Sequence, residues 1–125
     1  MVDIVPTFPK PRPVGTLYVK WVLTASETGK PVNVSKYPDK TVTFTGTFGG
    51  AVTFEGTNEE RGDPDHTDYA NAKFVPITDS LDAAAMSKTA DAGEVILQNY
   101  KWIRPKAAAG VTSVAINLVC SKRGV

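Results

Sequence analysis

The chain has 125 residues, with 14 basic and 13 acidic side chains, a formal charge of +1 and a single cysteine. Near-neutrality gives no global field to collect nucleic acid or an anionic membrane surface, one thiol cannot form an internal disulfide, and no Cys/His cluster offers a zinc site. No apolar run approaches the ~18 residues of a membrane span and no signal peptide is recognisable, so synthesis in the cytoplasm without export is expected. A single domain of this size buries roughly two thirds of the surface its unfolded chain exposes, enough for a core without staples.

Residues 1–14 (MVDIVPTFPKPRPV) carry Pro6, Pro9, Pro11 and Pro13. Proline fixes φ and removes a backbone donor, so an extended arm is predicted ahead of one domain over residues 15–125. The arm reads either as a disordered leader or as a segment lying along a neighbouring subunit. In the second case Ile4, Val5 and Phe8 are its apolar anchors, Pro9 stiffens the contact, and Lys10 and Arg12 are its cationic anchors. The P-x-x-P spacing also matches ligands of proline-recognising domains, with no other feature in support.

From Gly15 the texture is that of strands. Leu17, Val19, Trp21 and Leu23 alternate with Tyr18, Lys20, Val22 and Thr24, which gives a first strand with one apolar face. A turn at residues 27–30 leads to a second strand around Val32 and Val34, with Pro31 at its start, and residues 37–40 turn the chain again. Residues 41–56 (TVTFTGTFGGAVTFEG) then alternate on both sides of Gly49-Gly50, and read as a half-buried hairpin with Val42, Phe44, Val52 and Phe54 on its inner face.

The longest polar stretch, residues 57–69 (TNEERGDPDHTDY), is expected to project from one end of the fold as a loop. It holds every constellation that resembles chemistry. Asp63, Asp65, His66 and Asp68 offer oxygen and imidazole donors but lack the spacing and glycine of a calcium loop, and solvated charge is the better reading. Arg61-Gly62-Asp63 spells a tripeptide known from cell adhesion, but a three-residue match arises easily by chance and a turn explains the glycine. No paired carboxylates in a cleft, phosphate loop or nucleophile elbow is present, so no catalytic residue, cofactor or metal is expected and the protein reads as not an enzyme.

Residues 73–78 (KFVPIT) read as a strand that Pro76 places at an edge or bulge. Residues 80–88 (SLDAAAMSK) are the one helix-permissive window, and a turn at 89–93 follows. Strands around 95–97 and 100–104 precede a final clear alternation, in which Val114, Ile116, Leu118 and Cys120 share a face. Cys120 therefore reads as a small core residue rather than a nucleophile. Seven or eight strands at about ten-residue spacing predict an all-β domain, an antiparallel β-sandwich or jelly-roll-like barrel. Trp21 and Trp102 read as sheet-packing residues; exposed together on one face they would instead suit a carbohydrate-binding module.

The order of these features resembles the small β-sandwich virion proteins of tailed bacteriophages that cement or decorate the capsid. The resembling stretches are residues 46–58 (GTFGGAVTFEGTN), 74–79 (FVPITD), 89–93 (TADAG) and 100–105 (YKWIRP), spread over residues 41–120. The resemblance implies a structural protein on the outer capsid surface that bridges neighbouring major capsid proteins, self-associates as a dimer or trimer, and binds neither nucleic acid nor membrane. Its expected partner contacts are Ile4, Val5, Phe8, Pro9, Lys10 and Arg12 of the arm, with Glu59, Arg61 and Asp65 of the polar loop and Arg104. A tail or baseplate adaptor is the nearest alternative within the structural class.

Overall fold

Alternating apolar residues resolve into nine strands in the computed structural model, which describes residues 3–10, 13–78 and 85–122. These are β1 (Thr16–Leu23), β2 (Val32–Asn33), β3 (Asp39–Thr47), β4 (Val52–Thr57), β5 (Val75–Pro76), β6 (Ser87–Lys88), β7 (Ala92–Ile96), β8 (Trp102–Ala107) and β9 (Ser113–Ser121). One sheet has the order β1-β9-β3-β7 and the other β2-β8-β4-β5, with β6 sharing the outer edge of β4 with β5. Every strand pair is antiparallel, and the domain is the antiparallel β-sandwich that the strand rhythm predicts.

The core is built by the alternation read from the sequence. Val19, Trp21 and Leu23 of β1, Phe44 of β3, and Val114, Ile116, Leu118 and Cys120 of β9 face Val52, Phe54 and Ile103 of the opposite sheet, all fully buried. Phe54 meets Trp21 and Phe44 edge to face, at ring-centroid distances of 5.8 and 6.3 Å, so one aromatic cluster locks the two sheets together. The Trp21 indole N–H donates to the Lys30 carbonyl at 3.0 Å, which satisfies its polar atom inside the core. Burial pushes the Cys120 thiol up to about 12 and leaves it a packing group.

Two local expectations are overturned by pairing elsewhere in the fold. Residues 41–56 are not a hairpin: β3 pairs with β9 and β7, while β4 lies in the other sheet beside β8. The residues between them cross from one sheet to the other. Gly49, at φ 101°, makes the crossing, and its would-be Cβ lies 2.6 Å from the Gly110 carbonyl oxygen, so the loop packs backbone to backbone on the 108–112 turn. A hairpin and a crossover place the same side chains on the core, because the inner faces of both sheets share it; period and glycine content do not distinguish them.

The short helix or turn expected over residues 80–88 is corrected over its described part, residues 85–88. Residues 79–84 lie outside the described residues, and the remainder is extended. Ala85 bridges Thr78, the Met86 N–H donates to the Ile77 carbonyl at 2.8 Å, and Ser87 and Lys88 pair with Thr53 and Val52 of β4. Burial of Met86 and the open hydrogen-bonding edge of β4 outweigh the weak intrinsic preference of a short alanine segment for helix. The edge placement of β5, by contrast, follows its Pro76 as expected.

Residues 3–10 run along the seam between the two sheets. Ile4 donates its N–H to the Thr28 carbonyl and accepts from Lys30, each at 2.8 Å, beside the second sheet. Thr7 exchanges both backbone bonds with Lys20 of β1, at 2.8 and 2.9 Å, in the first sheet. The arm thus pairs with the free edge of β1 at Lys20 and fastens the two layers, which shortens the exposed strand edge.

Candidate functional site

Arg104 sits at the centre of the outer face of the second sheet. On β8, Trp102, Arg104 and Lys106 point away from the core while Ile103 and Pro105 point into it. Antiparallel register sets Arg104 directly across from Glu55 of β4, and its Nε donates to the Glu55 carboxylate at 2.7 Å. The two side chains are only 19% and 15% exposed. The guanidinium lies 3.7 Å from the ring centroid of Phe74 and donates through Nη1 to the Tyr69 hydroxyl at 3.1 Å. Tyr69 in turn donates to the Asp3 carboxylate, so the network joins β8, β4, the polar loop and the arm. Burial, followed by the bond to Asp3, pushes the Tyr69 phenol up to about 12.

The polar loop does not project; it is folded onto this face. Two 3-10 turns, Glu60–Gly62 and Tyr69–Asn71, give it a backbone, and Gly62 packs against the Trp102 indole. Arg61 makes a two-pronged contact with Glu59, both bonds at 3.1 Å, and a third with Asp68 at 3.0 Å. Arg61 and the Lys73 backbone N–H hold the Glu59 carboxyl below its usual range. Asn71, then Arg61, do the same for Asp68. Of the charges read in sequence as solvated, Asp68 is tied to Arg61 in a partly exposed network with Glu59, while Asp65 and His66 are exposed. The physical cause of the network is the arginine fork, whose planar donors match a carboxylate on each side.

Placed on this surface, the sequence-predicted contacts divide into two groups. Glu59, Arg61 and Arg104 are engaged with the chain's own carboxylates, phenol and rings, while Asp65 stands at the exposed loop tip. In the arm, Ile4 packs against the core, whereas Val5, Phe8, Pro9 and Lys10 are exposed; Arg12 lies outside the described residues. Phe8 borders a groove of about 510 Å³ with Leu17, Pro31, Val32, Tyr37 and Trp102, whose buried indole N–H has no acceptor among the described residues. Trp21 is fully buried, so the two tryptophans do not form one exposed platform. Among the described residues no three His, Cys, Asp or Glu side chains gather as a metal would require.

Sequence reading did not find Asp3, Glu55, Tyr69, Phe74 or Tyr37. Glu55 and Arg104 are 49 positions apart, and only the register of β4 on β8 makes them neighbours. An aromatic-Ile-Arg-Pro strand signals an outward arginine but not its partner.

Fold and surface together define an antiparallel two-sheet sandwich closed along one edge by its own N-terminal arm. No protein-family model and no curated protein sequence matches the chain. Among solved structures it is similar to the SPBc2 prophage-derived protein YomS, with a TM-score of 0.57 and 11% identity over 89% of this chain and 98% of that one. A cupin domain from Bordetella pertussis Tohama I has a TM-score of 0.49 and 9% identity, over 96% of this chain and 94% of that one. The likeness to YomS is one of fold.

Proposed function

We propose that the protein is a structural component of a tailed-phage particle, made in the bacterial cytoplasm and bound as cement to the outer capsid surface, where it bridges neighbouring major capsid proteins. The observation that carries the reading is the arm: a proline-stiffened segment fixed along the sandwich edge, with Val5, Phe8, Pro9 and Lys10 directed outward. A strand already ordered by its own backbone bonds loses little conformational entropy when a partner docks on it, so modest apolar contacts yield net affinity. Many copies on a lattice then multiply a weak contact into a stable one. The shared fold with a prophage-derived protein and the family resemblance over residues 41–120 support a place in the particle. The protein acts in this reading as a non-catalytic binder, and Arg104 with the Glu59–Arg61–Asp68 network holds the binding face rigid.

The test is binding of the purified chain to expanded capsids lacking it, followed by electron microscopy of the decorated shells. Deleting the arm would also unfasten the sandwich, so Phe8→Ala and Lys10→Ala are the informative variants. Lattice density with the arm against a neighbouring chain, weakened by Phe8→Ala, is expected. Density confined to the tail or baseplate would move the protein within the particle and reject the capsid role.

A further inference from the structure

We propose that the outer face of the β1-β9-β3-β7 sheet is the seat of a second copy of this chain, the two copies packing sheet on sheet about a two-fold axis. This gives a face to the self-association that the family resemblance implies, and it does not depend on where in the particle the protein sits.

The face is unusual in what it lacks. Register aligns Tyr18, Val119, Thr41 and Val95 in one row across all four strands, and Lys20, Asn117, Thr43 and Gly93 in the next. Val22, Ala115 and Thr45 continue it below. Thr16, Ser121, Asp39 and Leu97 close the face above, and Lys20 and Asp39 are the charged side chains of its four rows. Four of the eight large apolar side chains exposed among the described residues, Val22, Val95, Leu97 and Val119, lie here. Leu97, Val95 and Val119 also border a groove of about 310 Å³ at the end of the face. A flat surface of valine and threonine with two charged side chains can pack sheet on sheet while burying little charge. The opposite sheet, by contrast, covers its outer face with the Arg104 network and the polar loop.

Size and charge point to a second copy as the occupant. Four strands about 4.8 Å apart, carrying outward rows about 6.8 Å apart, present roughly 500 Å² per copy, or about 1,000 Å² for a pair, the lower bound for a specific interface. A two-fold axis in the interface, parallel to the strands and between β9 and β3, sets β1 over the partner's β7 and β9 over the partner's β3. Lys20 then lies over the partner's Gly93, where no side chain competes, and one row from the partner's Asp91. Asp91 is exposed and uses one carboxylate oxygen to hold the Gly46 N–H at 3.0 Å, which leaves the other to face the incoming lysine. The only cation of the face thus meets an acid supplied by its own copy.

The experiment is sedimentation of the full-length chain from 1 to 200 µM, all figures being of the order set by an interface this small. A monomer–dimer equilibrium with a dissociation constant on the order of 10 µM is expected. Thr43, exposed beside the axis on β3, lies over the partner's Asn117 with its own symmetry mate one strand across, so Thr43→Glu desolvates a carboxylate opposite an amide and sets two like charges across the axis, which weakens the dimer at least ~30-fold. Thr43→Cys is joined to its symmetry mate by a bis-maleimide spanning about 10 Å, a length that matches two sheets packed face to face, whereas Thr53→Cys on the opposite sheet is not; buried Cys120 does not compete. This cross-linking readout decides the matter even if Thr43→Glu impairs folding. A chain that stays monomeric at 200 µM, a dimer indifferent to Thr43→Glu in a folded variant, or equal cross-linking through Thr53→Cys overturns the proposal. Because the isolated chain is used, failure here leaves the virion reading untouched, and failure of capsid binding leaves the dimer untouched.

Discussion

Truncating Arg104 to alanine removes three contacts at once: the 2.7 Å bond to Glu55, the 3.1 Å bond to Tyr69 and the stack on Phe74 at 3.7 Å. The Glu55 side chain is 15% exposed, so the carboxylate left behind remains mostly out of water with no cation beside it. Breaking a fully buried ion pair in this way costs ~3–5 kcal/mol, and the lost cation–π contact adds ~0.5–2 kcal/mol. Partial hydration of Glu55 through its remaining exposure returns some of this, which leaves about 3 kcal/mol, or roughly a 10 °C fall in Tm for a chain of this length. Urea and thermal unfolding of Arg104→Ala, Glu55→Gln and the double variant measure it. The double variant is expected to be less destabilised than the sum of the singles by about 2 kcal/mol, since removing both partners leaves no orphaned charge. Amide exchange in residues 57–74 is expected to accelerate, because the loop is pinned through Tyr69 and Phe74. A loss below about 0.5 kcal/mol, or purely additive effects, would refute Arg104 as an internal anchor and return it to the outward contact surface.

Gly29→Ala places a Cβ 2.7 Å from both Pro105 Cδ and Trp21 Cδ1, two rigid rings, and is expected to cost about 1–3 kcal/mol by denaturant unfolding; an unchanged midpoint would mean the turn at residues 27–30 shifts freely. Tyr69 ionises near 12 when folded and at about 10 when unfolded, so the folded state holds its proton longer. Its contribution to stability is complete below pH 10 and is lost as the pH rises towards 12; Tyr69→Phe should flatten that alkaline fall, and an unaltered profile would remove Tyr69 as its source. Glu59 and Asp68 have the opposite sign: both carboxyls are held low, so the loop network is intact above their unfolded values and loosens as acid protonates them, which faster exchange of the Lys73 amide below about pH 4 would report. The Cys120 thiol, buried and pushed up to about 12, should resist labelling at pH 8 in the native protein and react on unfolding; stoichiometric native labelling would contradict its burial.

Alternation alone determined which faces of the long strands are buried. Leu17 to Leu23 and Val114 to Cys120 each read as one apolar stripe, and both line the core, because a period of two is a property of extended backbone that needs no partner to be visible. Prolines likewise marked the extended arm and the edge strand at Pro76. Partnership is a different quantity, since it depends on which edges are free once the chain has collapsed. The segment around Gly49-Gly50 looks the same whether it joins two strands of one sheet or crosses between two, and β9, 60 residues or more further along, takes the place beside β3 that a hairpin would have given to β4. Ser87 and Lys88, at the end of the helix-permissive window, pair with the open edge of β4 for the same reason. The candidate surface divides along the same line. Exposed Val5, Phe8 and Lys10 followed from an arm with apolar and cationic residues, but the pairing of Arg104 with Glu55, the closure of the polar loop around Arg61, and the bare outer face of the first sheet are products of register. Contacts between residues far apart in the chain come from the packing of whole sheets, and no local pattern carries that information.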